Sequence, residues 1–144
     1  MRVVLADTGL IVAYLNRRDR HHAWAVGALK QLRPPLLTCE AVLSEAVYLL
    51  RSDPSGGDRV MELVTRGMVC AKFDLQAEAT AVTALIRRYL SLPMDLADAC
   101  LVRMSELHPD CTLVAVDSEF RDIYRRNGRQ VIPTELPPGT RRRR

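Results

Sequence analysis

The stretch RVVLADTGLIVAYLN, residues 2–16, contains the strand-to-helix step on which the fold depends. Residues 2–6 form a short apolar run with β-branched side chains, which is typical of a buried strand. An apolar segment at 9–15 follows, and it is predicted to be a helix. Asp7 lies at the end of the predicted strand. A buried strand that passes directly into a helix is the repeating unit of a parallel α/β sheet.

The same alternation continues along the chain and predicts an α/β fold with a parallel sheet. Further strands are predicted at 36–39, 69–73, 112–116 and 130–132. Further helices are predicted at 22–32, 40–51, 57–66, 76–90, 95–107 and 119–126. A chain of 144 residues has the size of one domain, which we expect to cover residues 1–136. Residues 137–144 end in four arginines and are expected to form a basic, disordered tail.

The composition is that of a globular protein, with 48% hydrophobic and 26% charged residues. No apolar run reaches the length that crosses a bilayer, and an acid at residue 7 leaves no room for a signal peptide, so we expect a cytoplasmic protein. The four cysteines and three histidines show none of the spacings of zinc sites or disulfide frameworks. The net charge of +4 comes almost entirely from arginine, which favours a polyanionic partner because guanidinium groups pair well with phosphate.

Acidic residues follow two of the predicted strands directly. Asp7 ends the first strand, and Asp117 ends the fourth in LVAVDSEF. Because ligand sites of open α/β sheets lie beyond the carboxyl ends of the strands, we expect both acids at the same edge. Glu45 lies in mid-helix among apolar residues, where an unpaired charge is costly and a function is therefore favoured. Glu40 lies on another side of that helix and is explained as a first-turn acid.

A further acidic pattern occurs in PMDLADACLVRMSE, residues 93–106, where Asp95 and Asp98 begin an otherwise apolar helix. Positions three apart lie on nearly the same side of a helix, so both carboxylates project from one edge. One interpretation is structural, in which Asp95 offsets the helix dipole and Asp98 lies on a solvated stripe. The other interpretation is that Asp98 faces a site in which a cation compensates its charge. The pattern alone leaves both open.

A divalent cation is the counter-charge that we expect for these acids, because no lysine or histidine occurs at the same strand and helix positions. Clustered oxygen ligands without thiolate or imidazole suit Mg²⁺ or Mn²⁺. The predicted metal ligands are Asp7, Glu45, Asp98 and Asp117. Thr8 and Ser118 each follow a strand-end aspartate and are expected either to hydrogen-bond a ligand or to cap a helix.

Four stretches in this order resemble the PIN-domain nucleases, specifically the VapC-type ribonuclease toxins, over essentially the whole chain. They are VVLADTGLIVAYLN, LSEAVYLLR, PMDLADACLVRMSE and LVAVDSEFRDIYRRNGRQVIP. The resemblance implies a three-layer α/β/α domain with a central, mainly parallel sheet of about five strands. It also implies hydrolysis of RNA phosphodiester bonds with Mg²⁺ or Mn²⁺. The catalytic acids of the family fall on Asp7, Glu45, Asp98 and Asp117, while the role of Asp95 stays open.

The resemblance further implies a toxin of a toxin–antitoxin pair, with RNA as substrate and a small antitoxin protein as partner. A homodimer is also expected. Among the arginines, those of the loop after the first helix are the first candidates for RNA contacts, and those near the last predicted helix are the second candidates. The two groups are Arg17, Arg18 and Arg20, and Arg121, Arg125 and Arg126.

Other α/β domains also carry acids at strand ends. A phosphoacceptor receiver domain needs a lysine beside the acids, and neither Lys30 nor Lys72 follows a strand near them. The phosphatase pattern DxDx[TV] is missing from LADTGL, and the glycine-rich loops that bind nucleotides are absent from the sequence. The alternative that stays open is a non-catalytic PIN-like module that binds RNA or protein.

Overall fold

Strands and helices alternate along the chain in the computed structural model, which describes residues 2–92 and 94–141. The strands are β1 (Val4–Ala6), β2 (Leu36–Leu37), β3 (Val69–Cys70), β4 (Thr112–Val114), β5 (Arg125–Arg126), β6 (Gln130–Val131) and β7 (Thr134–Glu135). The helices are α1 (Thr8–Leu15), α2 (His22–Gln31), α3 (Glu40–Leu49), α4 (Gly56–Thr65), α5 (Leu75–Arg88), α6 (Leu96–Leu107) and α7 (Glu119–Asp122).

Five strands form one parallel sheet in the order β3-β2-β1-β4-β7. The two central strands are paired in register, with Leu5 of β1 opposite Leu113 of β4. The amide of Asp7 extends this ladder by donating to the carbonyl of Val114 at 3.2 Å. The predicted parallel α/β fold is confirmed. Since β1 and β4 are neighbours with the same direction, the segments that follow them emerge at the same edge of the sheet.

Helices cover both faces of the sheet, which confirms the three-layer arrangement. Successive strand residues point to opposite faces, so Leu5 and Leu113 belong to the larger hydrophobic cluster and Ala6 and Val114 to the smaller one. The four cysteines are free thiols, and all but Cys70 are buried. No helix in the described part of the chain is long and apolar enough to cross a membrane.

The last predicted strand and the last predicted helix are partly wrong. Residues 130–131 pair antiparallel with β5 in a separate two-stranded hairpin, and the fifth strand of the main sheet is β7. The predicted helix at 119–126 ends at Asp122. The cause is the Asn127-Gly128 turn, where both residues have positive φ, 51° and 85°. This dipeptide favours a tight β-hairpin, and the residues on both sides of the turn form its two strands.

The predicted tail begins at residue 137 and is described only as far as Arg141. Residues 142–144 lie outside the described part, as does Pro93, which precedes α6. The division between the domain and a disordered tail stays a prediction.

Close packing sets the position of α1 against the end of β4. Gly9 lies in the first turn of α1, and a Cβ at this position would overlap Cγ2 of Val116. Glycine therefore lets the first turn of α1 approach the chain that leaves β4. This contact brings the two segments that carry Asp7 and Asp117 together.

Candidate metal centre

Asp7 lies between β1 and α1, where its side chain caps the helix. Its Oδ1 accepts a hydrogen bond from the amide of Thr8 at 2.7 Å. Burial raises the pKa of Asp7 to about 7, and the charges of Glu45, Asp95 and Glu119 add to this rise, while the Thr8 amide opposes it. The first predicted ligand therefore lies among other carboxylates, as expected.

Asp95 and Asp98 form a capping box at the start of α6. The Asp95 side chain accepts from the amide of Asp98 at 2.8 Å, and Oδ2 of Asp98 accepts from the amide of Asp95 at 3.4 Å. Burial raises the pKa of Asp98 to about 8, with further contributions from the charges of Asp95 and Asp7. Both interpretations of the sequence pattern therefore apply, because Asp98 helps to cap α6 and also faces the other acids.

Glu45 reaches the same group of carboxylates from the middle of α3. It is half-buried, whereas Glu40 of the first turn is exposed. Burial raises the pKa of Glu45, the charge of Asp95 adds to the rise, and the nearby Thr8 hydroxyl opposes it. The structure thus distinguishes the two glutamates of α3 in the way that helical spacing predicts.

The Thr8 hydroxyl is buried beside Glu45, whose pKa it lowers, but it makes no hydrogen bond of good geometry there. The residue is 3% exposed, and its Oγ1 makes no hydrogen bond within the described part of the chain. A buried polar atom of this kind is rare because the lost hydration is costly. Ser118 has the N-cap position of α7, but its side chain makes no capping hydrogen bond. Neither hydroxyl is therefore explained as a helix cap.

Glu119 is an acid of this edge that the sequence interpretation missed. Its charge contributes to the raised pKa values of Asp7, Asp98 and Tyr124. The charge of Asp117 is not among the main causes of these three pKa shifts. Asp117 itself follows β4 and interacts with other parts of the protein. A glutamate in the first turn of a helix resembles an ordinary dipole-compensating acid, and only its spacing of two residues from Asp117 could have indicated it.

The chemistry of the donors suits a hard divalent cation, since they are carboxylates with one unpartnered hydroxyl. Across residues 2–92 and 94–141, however, no three acidic, histidine or cysteine side chains already form a ready-made metal-binding group. The acids are gathered at one edge without forming a coordination geometry, and Glu45 lies within hydrogen-bonding reach of Asp95, which raises the pKa of Glu45. A cation would have to draw them closer.

The first group of arginines predicted to contact RNA lies away from the acids. Arg17 and Arg18 follow the C-terminus of α1, and Arg20 comes shortly after them. A helix of eight residues spans about 12 Å, and Asp7 caps the opposite end. An RNA bound at the acids would therefore have to extend along the length of α1 to contact these arginines.

The second group of arginines is largely engaged within the fold. Arg121 pairs with Asp122 at 2.8 Å. The guanidinium of Arg125 donates to the carbonyls of residues 121, 122 and 124. That of Arg126 donates to the carbonyls of Ser105 and residue 109, at 3.0 and 3.1 Å. Arg126 therefore holds the hairpin to the end of α6, whereas Arg121 and Arg125 stabilise the turn of chain between α7 and the hairpin.

A three-layer α/β/α domain with carboxylates gathered beyond its central strands defines the class of the protein. Within that class, the PIN domain family matches residues 4–126. The chain belongs to the PIN domain family, which confirms the resemblance seen in the sequence.

Two solved structures are similar to this chain. One is Mycobacterium tuberculosis VapC20, a sarcin-ricin loop cleaving toxin, with 19% sequence identity, a TM-score of 0.66, and coverage of 81% of this chain and 91% of that chain. The other is DNA-bound VapBC from Salmonella typhimurium, with 15% identity, a TM-score of 0.57, and coverage of 94% and 98%. At these identities the likeness shows the fold alone. No curated protein sequence matches the chain.

Proposed function

We propose that this PIN domain is a Mg²⁺- or Mn²⁺-dependent endoribonuclease and the toxin of a toxin–antitoxin pair. The observation that carries the proposal is the gathering of Asp7, Glu45 and Asp98 close to Asp95, whose charge raises the pKa of all three. A purely structural role does not account for it, because uncompensated acids destabilise a fold. Such a cost is expected at working sites.

In the proposed mechanism, the acids hold the metal and the fold positions them. Asp7, Glu45 and Asp98 are the proposed ligands, with Asp117 as the fourth predicted acid and Glu119 close to the same group. A divalent cation held by these residues would supply Lewis-acid chemistry, which would polarise a phosphodiester and lower the pKa of a coordinated water. The capping hydrogen bonds of Asp7 and Asp98 fix the directions of their carboxylates before substrate arrives.

The similar structures support the substrate and partner classes that we propose. One of them is a toxin that cleaves the sarcin-ricin loop, so we propose a structured RNA rather than an unstructured one. The other is a VapBC complex, so we propose a small antitoxin that places a basic side chain at the acidic edge. The homodimer stays a prediction.

Cleavage by the purified protein tests the enzymatic proposal. We expect cutting of structured RNA in Mg²⁺ or Mn²⁺ and none in EDTA. Asp7→Asn is expected to abolish cutting while RNA binding persists, because phosphate contacts and catalysis depend on different groups. Asp74→Asn changes an exposed N-cap of α5 in the same way and serves as the control. Full cleavage in EDTA would reject the metal mechanism, and RNA retention without any cutting would favour a binding module.

The antitoxin proposal has a separate test. Co-expression with the product of an adjacent small gene is expected to yield a stable complex and to block cleavage. A complex that forms but leaves cleavage unchanged would contradict the proposed basic side chain at the acidic edge.

A further inference from the structure

Tyr124 connects the candidate metal centre to an aromatic cluster. The residue is 2% exposed, and its hydroxyl donates to Oδ2 of Asp98 at 3.2 Å. Its ring contacts Tyr89 and Phe120 edge to face, with centroid separations of 5.2 and 5.5 Å. Two aromatic neighbours and complete burial leave this ring little freedom to move. The phenol is therefore a fixed donor aimed at one of the acids.

The hydrogen bonds to the Asp98 side chain all end on one oxygen. Oδ2 accepts from the Asp95 amide and from the Tyr124 hydroxyl. Within the described residues, Oδ1 of Asp98 has no donor. A carboxylate held through one oxygen cannot rotate freely, so its second oxygen keeps a constant direction. The bond to the Asp95 amide is long, at 3.4 Å, which makes the phenol the shorter of the two restraints.

We infer that Tyr124 is a positioning residue, which fixes the orientation of the Asp98 carboxylate at the proposed metal centre. The inference rests on the proposed function, and it assigns to Tyr124 the task of orienting one of the metal-holding acids. Hydrogen bonds from outer residues to metal ligands orient them and typically improve metal affinity or activity by about 10- to 100-fold.

Tyr89 provides a matched control for the loss of one buried hydroxyl. It is buried in the same cluster, but its hydroxyl accepts from the amide of Arg125 at 2.9 Å and makes no hydrogen bond to an acid among residues 2–92 and 94–141. Tyr89→Phe removes a hydroxyl that holds the backbone, whereas Tyr124→Phe removes one that holds a carboxylate. Both variants keep the aromatic rings in place. A difference between them therefore reports on Asp98.

The experiment measures Mn²⁺ binding by calorimetry for wild type, Tyr124→Phe and Tyr89→Phe, without RNA. We expect Tyr124→Phe to bind Mn²⁺ about tenfold more weakly and Tyr89→Phe to bind it as wild type does. In cleavage assays at limiting Mn²⁺, Tyr124→Phe should lower kcat and leave the KM for RNA unchanged. Excess Mn²⁺ should partly restore its kcat.

Each outcome decides a different point. Equal Mn²⁺ affinity of Tyr124→Phe and wild type would overturn the positioning role and leave the proposed function intact. Equal weakening in both variants would also overturn it, because the cause would then be the packing of the aromatic cluster. If wild type bound no Mn²⁺, the metal-dependent function would fail and this inference with it.

Discussion

Replacing Asp7 by asparagine should stabilise the metal-free protein although it removes activity. The pKa of Asp7 is raised because its ionised carboxylate is buried near other acids. Asparagine has the same shape and is an equally good N-cap, so Oδ1 can still accept from the Thr8 amide. The substitution therefore removes the charge and keeps the local structure.

The size of the effect follows from the pKa of Asp7, which rises from 3.8 to about 7. Each pKa unit corresponds to about 1.4 kcal/mol of free energy of unfolding, so the ionised carboxylate destabilises the fold by at most about 4 kcal/mol. Asp7 keeps some contact with solvent, and water screens part of the repulsion. We therefore expect a gain of about 2 kcal/mol, which raises the melting temperature by about 4–8 °C.

The pH dependence has a definite sign. The folded protein holds the Asp7 proton more tightly than the unfolded chain does, so the carboxyl is neutral in both states below about pH 4. The wild type should lose stability relative to Asp7→Asn as the pH rises from about 4 to about 7. Above that range the difference between the two proteins should be constant.

Thermal and denaturant unfolding in EDTA, at about pH 4.5 and about pH 8, measures this difference. The control Asp74→Asn also changes an N-cap aspartate, but an exposed one, and should shift stability by about 0.5 kcal/mol or less. Excess Mg²⁺ should then stabilise the wild type by mass action and do much less for Asp7→Asn. If Asp7→Asn melted below wild type in EDTA, or Mg²⁺ raised both equally, the acids would not form a strained metal centre.

Two further substitutions, together with one control, test the packing that positions the site. Gly9→Ala should destabilise the protein by about 1–3 kcal/mol, because the new methyl group overlaps Val116. Gly27→Ala in α2 is the control, because no atom lies within 4 Å of the added Cβ. It should be neutral or stabilise the protein by up to about 1 kcal/mol. Equal effects of the two in urea unfolding would contradict the close approach of α1 to the end of β4. Thr38→Val should cost about 1–2 kcal/mol in the same assay, because the fully buried hydroxyl donates to the carbonyl of Ala6 at 2.8 Å. Unchanged stability would mean that this hydrogen bond between the ends of β1 and β2 contributes nothing.

The sequence by itself determined the parallel α/β class and predicted that Asp7 and Glu45 lie at one edge of the sheet. Both depend on local signals, namely the alternation of apolar runs and the position of an acid in its element. Asp7 directly follows a buried strand, and Glu45 lies on a different side of its helix from Glu40. Such positions are set by the repeats of the strand and the helix, so they can be derived without knowledge of distant contacts. The approach of Asp98 was open in sequence because a capping acid and a metal ligand can have the same spacing.

Only the tertiary structure decided which strand closes the sheet and which other groups approach the acids. Residues 130–132 had the composition of a strand, but the tight turn at Asn127-Gly128 gave them a hairpin partner and left the sheet edge to β7. Glu119 and Tyr124 carry no local signal of a site, and their approach to Asp98 depends on how the chain after β4 packs against α6. The physical reason is that turn and helix propensities act over a few residues, whereas strand pairing and burial depend on residues far apart in the chain.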